Sequence, residues 1–396
     1  GLVCGACLGM GYVDLEEGPS ARAMEIFQNL DNALASEPDS PVRQAVQIEL
    51  RLLEARTGQV KTTRKSDRVD EIEARILRVE AFALLQDSRK TGGRPWEAAV
   101  RLKKIIEAGY LDQSLVNDMM IYAQELSGVD IGIYTDLAGG EFALQYEHYY
   151  NAMQKFQSFF SNVIAPPGID FTRYRYRWAL AAYKAEIYQP AVDILEKMQR
   201  KKGLDPELDK ATAKLLYAVY AAREQTSGSV ANRKLLRTAA QRFVRKSPGD
   251  ADADAARLMI AQTSSSASTA LKSLKSIKST KKLNGDVERT AYQIIARDFS
   301  RKIARGKTNS AKGLARDGIS AFSKLPKADK ADPFNFAILL QMRALIDPKP
   351  EEVLKAIEFI ETKGNTNLDI RRALIWSRLQ LYDRSGDMSK VRDFVR

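Results

Sequence analysis

The 396-residue sequence contains one histidine and two cysteines, and this shortage excludes most familiar catalytic arrangements. A single histidine cannot fill several acid–base roles, and no Gly-x-Ser-x-Gly element marks a nucleophilic serine. Only 13 prolines and 23 glycines occur, so residues that interrupt helices are also few. No apolar run approaches the roughly 20 residues that a membrane-spanning helix needs. These shortages favour a folded, helix-rich chain in which no reaction centre is evident.

The charge of the chain is distributed unevenly. Basic residues outnumber acidic residues by 62 to 50, a net charge of +12. Residues 271–330 hold sixteen Lys/Arg and five Asp/Glu, a net +11, whereas residues 1–60 hold four arginines and nine acids, a net −5. Such a basic stretch attracts phosphate, acidic proteins or anionic lipid headgroups, or it forms a solvated lysine face. Both interpretations are open at this point.

Apolar residues recur with helical spacing along nearly the whole chain. In residues 284–304 five apolar side chains follow one another at intervals of four, which is typical of the buried face of an amphipathic helix. Residues 129–133 alternate, but this segment is short and contains a glycine, so a loop is predicted there. The periodicity predicts an all-α chain.

The predicted helices of the second half fall into pairs. These pairs are expected to begin near residues 171, 206, 249, 284, 333 and 367. Repeats of this length are typical of helix–turn–helix units that bury their faces against their neighbours. In the first half, pairs are predicted near 20–57, 69–108 and 112–164, with interruptions at a basic connector, 61–68, and a glycine-rich segment, 128–140. The predicted fold is an α-solenoid of stacked antiparallel helix pairs.

Composition divides the chain into three expected parts. They are a short irregular segment at 1–19, a helical-repeat region with an aromatic-rich centre at 20–245, and a basic helical-repeat region at 246–396.

Residues 178–195 resemble one unit of the tetratricopeptide-type helical repeats. Four alanines between residues 179 and 185 would let two helices approach closely, and Ala191-x3-Leu195 resembles the core of the second helix. The pairs Ala98-x3-Leu102 and Ala152-x3-Phe156 repeat this second-helix pattern. The first-helix pattern of the family, Trp-x2-Leu-Gly-x2-Tyr, is not met. The resemblance implies a tetratricopeptide-like solenoid over about residues 20–396.

The most specific short motif, Cys-x-x-Cys-x-Gly-x-Gly, lies at residues 4–11. Two thiolates with this spacing can hold one face of a tetrahedral zinc ion, and the motif resembles one zinc-binding repeat of the DnaJ-type co-chaperones. Zinc needs four ligands, so Cys4 and Cys7 supply half a site. Zinc is therefore expected only if further cysteines lie upstream or on a partner chain, and the alternatives are a disulfide or free thiols. The apolar character of residues 1–12 leaves export open beside a cytoplasmic location.

An arginine–aromatic run forms the first group of candidate partner-binding residues. It can be a stacking surface for single-stranded nucleic acid or a peptide groove. It can also be an aromatic core with an arginine rim, because residues 174 and 178 share one helix face and residues 173 and 177 share another. The candidates are Arg173, Tyr174, Arg175, Arg177 and Trp178.

A second group of candidates lies in the basic stretch, where Lys272, Lys275 and Lys278 repeat every three residues. They form either a ridge that binds an anion or a protein partner, or the polar side of a short amphipathic helix.

The leading interpretation is a non-enzymatic helical-repeat scaffold or adaptor that binds protein partners within a larger assembly. A solenoid offers an extended surface for a peptide or a helix, and the contact surface is expected in the aromatic-rich middle, residues 142–188. The first alternative is a nucleic-acid or polyanion-binding repeat protein that uses residues 271–330. The second is an enzyme with carboxylate catalysis in the solenoid groove. No small-molecule substrate is indicated.

Overall fold

The computed structural model describes residues 21–37, 40–57, 60, 69–226, 228–264, 266–278, 283, 285–362 and 367–395. Of these residues 79% are helical and none forms a β-strand. The predicted loop at 129–133 contains a single isolated bridge between Ile131 and Ile133. Within the same ranges no helix combines the length and apolar character needed to cross a membrane. The prediction of an all-α chain is confirmed.

Contacts between helices divide the chain into two compact units, with the division between Gly203 and Leu204. In the first unit each helix packs mainly against helices that are close to it in sequence. Its described helices are α1 Ala21–Ala33, α2 Pro41–Arg56, α3 Glu71–Thr91, α4 Pro95–Glu107, α5 Gln113–Ile121, α6 Ala123–Leu126, α7 Tyr134–Gln145, α8 Tyr149–Asn162, α9 Thr172–Lys184 and α10 Tyr188–Arg200.

The second unit is built in the same way from neighbouring helices. Its described helices are α11 Pro206–Thr226, α12 Val230–Lys246, α13 Ala253–Thr263, α14 Ala267–Lys275, α15 Asp286–Ala304, α16 Thr308–Ser323, α17 Lys327–Ala331, α18 Pro333–Ile346, α19 Pro350–Thr362, α20 Leu368–Ser385 and α21 Met388–Val395. The boundary expected at 245/246 falls inside this unit, within the last turn of α12, and α12 packs against α13. Each unit is an α-solenoid of stacked antiparallel helix pairs.

The six helix pairs predicted from residue 171 onward are present. Their first helices begin at residues 172, 206, 253, 286, 333 and 368. Asp205 and Asp332 cap α11 and α18 as their Asp-Pro sequences suggest, since their side chains accept hydrogen bonds from Leu208 N at 3.0 Å and Asn335 N at 2.8 Å. The third pair begins later than expected because Pro248 lies in a turn ahead of α13 and does not open the helix.

Small residues bring the two helices of a pair close together. Ala179, Ala181 and Ala182 on α9 are buried. The three alanine–large residue pairs noted in the sequence are also completely buried, on the second helices of their pairs: Ala98 and Leu102, Ala152 and Phe156, Ala191 and Leu195. These residues therefore belong to the buried core of the first unit.

The interruption predicted over residues 128–140 is wrong in its second half. Helix α7 begins at Tyr134 and contains both Gly139 and Gly140. A Cβ atom on Gly140 would lie 3.0 Å from the Phe156 ring of α8. Close packing of α7 on this ring offsets the low helix propensity of glycine, so the segment is helical.

The turns inside two helix pairs of the first unit have the same geometry. Glu147 and Glu186 have left-handed backbones, each with φ of 61°. The next backbone N–H donates to a carbonyl five residues earlier, from His148 to Ala143 and from Ile187 to Ala182. This arrangement is the Schellman motif that ends a helix, and its two copies occur in consecutive helix pairs, α7–α8 and α9–α10.

The second unit uses the same turn with glycine. Gly306, between α15 and α16, has φ of 68°, and Gly386, between α20 and α21, has φ of 72°. Glycine adopts this left-handed backbone without the steric cost that a side chain brings. Two helix pairs in each unit thus share one connecting turn, which we call the pair turn.

Candidate partner-binding site

Helix faces of α5, α6, α7 and α9 enclose an open groove of about 360 Å³ in the first unit. We call it the ionic groove. Its lining residues lie three, four or seven positions apart on their helices, which places them on one face of each. The principal ones are Met120, Glu141, Leu144, Arg177, Leu180 and Lys184.

The floor of the ionic groove holds an acid next to an arginine. Glu141 is buried, with 7% of its surface exposed, and its Oε1 lies 2.6 Å from Arg177 Nε. Burial raises the pKa of Glu141 to about 7, because removing the carboxylate from water outweighs the opposing attraction of Arg177 and Arg173. Near neutral pH the Glu141 carboxyl group therefore exists in both protonation states.

The mouth of the ionic groove carries exposed charges beside apolar side chains. Lys184 Nζ lies 5.9 Å from the centre of the Tyr149 ring, within reach of a cation–π contact. Glu147 of the pair turn lines the same mouth. Leu144 and Leu180 are half-buried, so part of each side chain remains available to a ligand.

The repeat spacing explains why these residues meet. Glu147 and Glu186, which occupy the same position in two successive pair turns, are separated by a fixed number of residues. The same number separates Glu141 from Leu180 and Gln145 from Lys184, and these four residues all line the ionic groove. Equivalent positions on successive first helices therefore build one surface.

Sequence reasoning missed Glu141 and Lys184 as groove residues. The signal that could have found them is the repeated Glu-x-x-x-x-Ala at 147–152 and 186–191, which marks two equivalent turns. Aligning the chain on these turns places Glu141 and Lys184 on equivalent faces of successive first helices.

The structure separates the arginine–aromatic run. Tyr174 is buried and its hydroxyl donates to Asn117 Oδ1 at 3.2 Å, and burial raises its pKa to about 12. Trp178 stacks on Phe160 with ring centres 5.3 Å apart. These two aromatic residues belong to the helix packing, as expected for an aromatic core.

The arginines of the run face different surroundings. Arg173 is exposed, and Arg177 alone among the five candidates lines the ionic groove. The Arg175 guanidinium lies 4.4 Å from the centre of the Phe160 ring. Arg175 also lines a separate cavity of about 360 Å³ together with Lys197 and Lys201.

The three candidate lysines of the basic stretch are exposed at and just beyond α14. Lys272 and Lys275 lie on the helix, and the backbone N–H of Lys278 donates to the Asp254 carboxylate at 3.2 Å. No carboxylate in the described part of the chain forms an ion pair with any of their ammonium groups. Lys275 also borders a groove of about 440 Å³ between α14, α15 and α16, which we call the apolar groove.

The cysteine motif and the basic connector 61–68 lie outside the described residues. Zinc at Cys4 and Cys7 therefore remains a prediction. Within the residues that are described, no three His, Cys, Asp or Glu side chains are grouped closely enough to hold a metal ion.

Comparison with known proteins gives no relative: the chain matches no protein-family model, and no curated protein is similar to it in sequence. A fold does not by itself define a function, so a functional proposal has to be argued from the residues of a site.

Proposed function

We propose that the chain is a non-enzymatic helical-repeat adaptor whose ionic groove binds a segment of a partner protein. The observation that carries this proposal is the ionic groove itself, in which Leu144 and Leu180 lie beside the buried Glu141, its half-buried partner Arg177 and an exposed Lys184. Repeat proteins bind partners through surfaces built from equivalent positions of successive repeats. The tetratricopeptide-like resemblance is in keeping with this role.

The position of Glu147 supports the proposal. This residue is exposed, lies in the turn between α7 and α8, and lines the groove, where its carboxylate adds a negative charge near Lys184. Glu186 has the same left-handed backbone and does not line the groove, so that backbone belongs to the pair turn.

The groove specifies the chemistry of its partner. An apolar side chain of the partner would pack between Leu144 and Leu180, because this contact removes apolar surface from water. An acid or a carbonyl group of the partner would meet Lys184 at the mouth. A short segment that combines these groups fits the groove.

Peptides selected by display against the full chain would test the proposal. Leu180→Glu puts a charge on the apolar wall of the groove and should weaken the selected peptides about tenfold or more. Gln154→Glu adds the same charge at an exposed position of α8 outside the groove and should leave their affinity unchanged. Circular dichroism would verify that both variants fold. Failure to select any peptide whose binding Leu180→Glu weakens would overturn the proposal.

A polyanion-binding function is the second candidate. It is favoured by the exposure of Lys272, Lys275 and Lys278 and by the absence of ion pairs to them within the described residues. A single-stranded oligonucleotide should then bind with an affinity that falls steeply as salt increases. Replacing the three lysines by glutamine should weaken binding and flatten the salt dependence. An unchanged curve would identify them as a solvated helix face.

A further inference from the structure

The apolar groove of the second unit is chemically unlike the ionic groove. Val287, Ala291 and Ile295 follow one another at successive turns of α15 and form its floor. Leu271 of α14 and Ala321 of α16 form its walls. Val287 and Ala291 are only half-buried, so the groove presents an apolar strip to solvent. The floor extends about 12 Å along α15, or about two helical turns.

Two lysines lie at one end of this strip. Lys275 is the last residue of α14, and Lys324 directly follows the last residue of α16. Because neighbouring helices are antiparallel, both lie near the first turn of α15, which carries Glu288. Both lysines are exposed, and neither forms an ion pair with a described residue. Glu288 is likewise without an ion pair to a described residue, so this end of the groove carries two positive charges and one negative charge.

Acidic residues offset the lysines within the groove but not the positive charge around it. Asp286 and Asp298 of α15 pair with arginines of the same helix, whereas Glu288 and Asp317 line the groove and balance Lys275 and Lys324 in number. Residues 271–330 keep a net charge of +11. A ligand that complements this region needs an apolar stripe and negative charge along its edge.

We propose that the apolar groove binds an amphipathic helix of a partner protein whose polar edge carries Asp or Glu. Such a helix lays an apolar stripe of residues spaced by three or four into a groove of this kind. The acidic edge meets Lys275 and Lys324, which improves the rate and specificity of association. The proposal adds a second binding site to the adaptor, in the unit that lacks the ionic groove.

The lining favours a helix over a nucleic acid. Single-stranded nucleic acids are held by aromatic side chains on which bases stack. The apolar groove is lined by aliphatic and charged side chains, with no aromatic ring among its described residues. Nucleic-acid binding would therefore rely on the lysines alone and would not use the floor.

Two synthetic helical peptides, each about four helical turns long, test the proposal. Both carry leucines four positions apart, and one has glutamates on its polar edge where the other has lysines. In fluorescence anisotropy at physiological salt, the acidic peptide should bind the full chain about tenfold or more tightly than the basic peptide. On binding, the methyl NMR signals of Val287, Ala291 and Ile295 should shift. Failure of the acidic peptide to bind, or equal binding of both peptides, would overturn the proposal.

Matched charge reversals separate the groove from the general charge of the region. Lys275→Glu with Lys324→Glu should weaken the acidic peptide about tenfold. The control, Lys272→Glu with Lys312→Glu, makes the same charge change at exposed residues of α14 and α16 that do not line the groove. It should weaken binding of the acidic peptide by less than about threefold. Equal losses in the two double variants would show attraction to charge without a groove and would overturn the proposal.

Two further measurements distinguish this proposal from the others. Leu180→Glu, which damages the ionic groove, should leave binding of the acidic peptide unchanged, so the two sites can fail separately. A single-stranded oligonucleotide should not displace the peptide. If the oligonucleotide displaces the peptide, and the peptide does not shift the methyl NMR signals of the floor residues, the lysines would be assigned to polyanion binding. That result would overturn the helix proposal.

Discussion

The two units share helix pairing and the pair turn but place their charges differently. Four of the five charged side chains that are buried in the described residues belong to the first unit: Glu54, Glu80, Arg101 and Glu141. The second unit buries Arg257 and otherwise has a large apolar cluster that extends from Tyr292 to Leu381. Similar architecture can thus be stabilised by different interactions, and sensitivity to pH should be concentrated in the first unit.

A buried ionic network connects three helices of the first unit. Arg51 of α2 donates to one carboxylate oxygen of Glu80 at 3.1 Å, and Arg101 of α4 donates to the other at 2.8 Å. Glu80 lies on α3 between them. Each of the three side chains is about 10% exposed, so each depends on its partners in place of water.

Removal of Glu80 should produce the largest effect. Glu80→Ala removes the carboxylate to which Arg101 donates and leaves Arg51 with Glu73, to which it also donates at 3.0 Å, and should lower the free energy of unfolding by about 3–5 kcal/mol. Asp329→Ala removes the acid from the more exposed Arg289–Asp329 pair of the second unit and should cost about 1 kcal/mol or less. Urea unfolding followed by circular dichroism measures both. Equal losses would contradict the contrast between the units.

Glu141 should give the first unit a characteristic pH dependence. Its folded pKa of about 7 exceeds the ordinary value of 4.5, so the folded chain retains a proton that the unfolded chain releases. The stability of the wild-type protein should therefore fall as pH rises from about 4.5 to about 7. Glu141→Gln cannot ionise, and its stability relative to wild type should rise by up to about 3 kcal/mol across this window.

Urea unfolding at a series of pH values checks this prediction. Gln145→Ala changes a non-ionisable residue of the same groove and should keep the wild-type pH dependence. A constant difference between Glu141→Gln and wild type at all pH values would show that burial does not raise the pKa of Glu141.

The smallest effect concerns the residue at the left-handed position of the pair turn. Glu186→Gly should stabilise the first unit by about 1 kcal/mol, because it relieves a strained backbone. Gly306→Ala should destabilise the second unit by a similar amount, because the φ of residue 306 is 68°. No neighbouring atom lies within 4 Å of the added methyl group, so the effect comes from the backbone conformation and not from a clash. Gly313→Ala, inside α16 with open space around it, should be stabilising through helix propensity.

Thermal unfolding checks the three variants together. Opposite signs for Gly306→Ala and Gly313→Ala would confirm that backbone conformation, and not loss of glycine itself, decides the effect. Equal signs would contradict the assignment of strain to the pair turn.

The sequence predicts the fold well because its signals are local. Helical spacing and the Asp-Pro starts at residues 205 and 332 depend only on neighbours along the chain. The second half of the interruption at 128–140 was mispredicted because a tertiary contact decides it. Gly140 becomes helical through its contact with the Phe156 ring, which lies on another helix.

The candidate site was less predictable for the same physical reason. Arg177 was identified from the arginine–aromatic run, but Glu141 has no sequence feature that reveals its burial or its raised pKa. Those properties arise when α7 and α9 pack together. The lysines at 272 and 275 were found from their spacing, whereas the apolar groove beside Lys275 needs α15 and α16 to be in place.

The spacing of the pair turns has a consequence for how such a chain can evolve. Glu147 and Glu186 occupy equivalent positions in consecutive helix pairs, and each pair contacts mainly its neighbours. A tandem duplication of the segment from one of these turns to the next would therefore reproduce a complete pair together with its turn, and would lengthen the groove by one first helix. Insertions of other lengths would rotate the new face away from the old one, since each helical residue turns the chain by about 100°. Insertions that lengthen the groove are thus expected to add whole repeats.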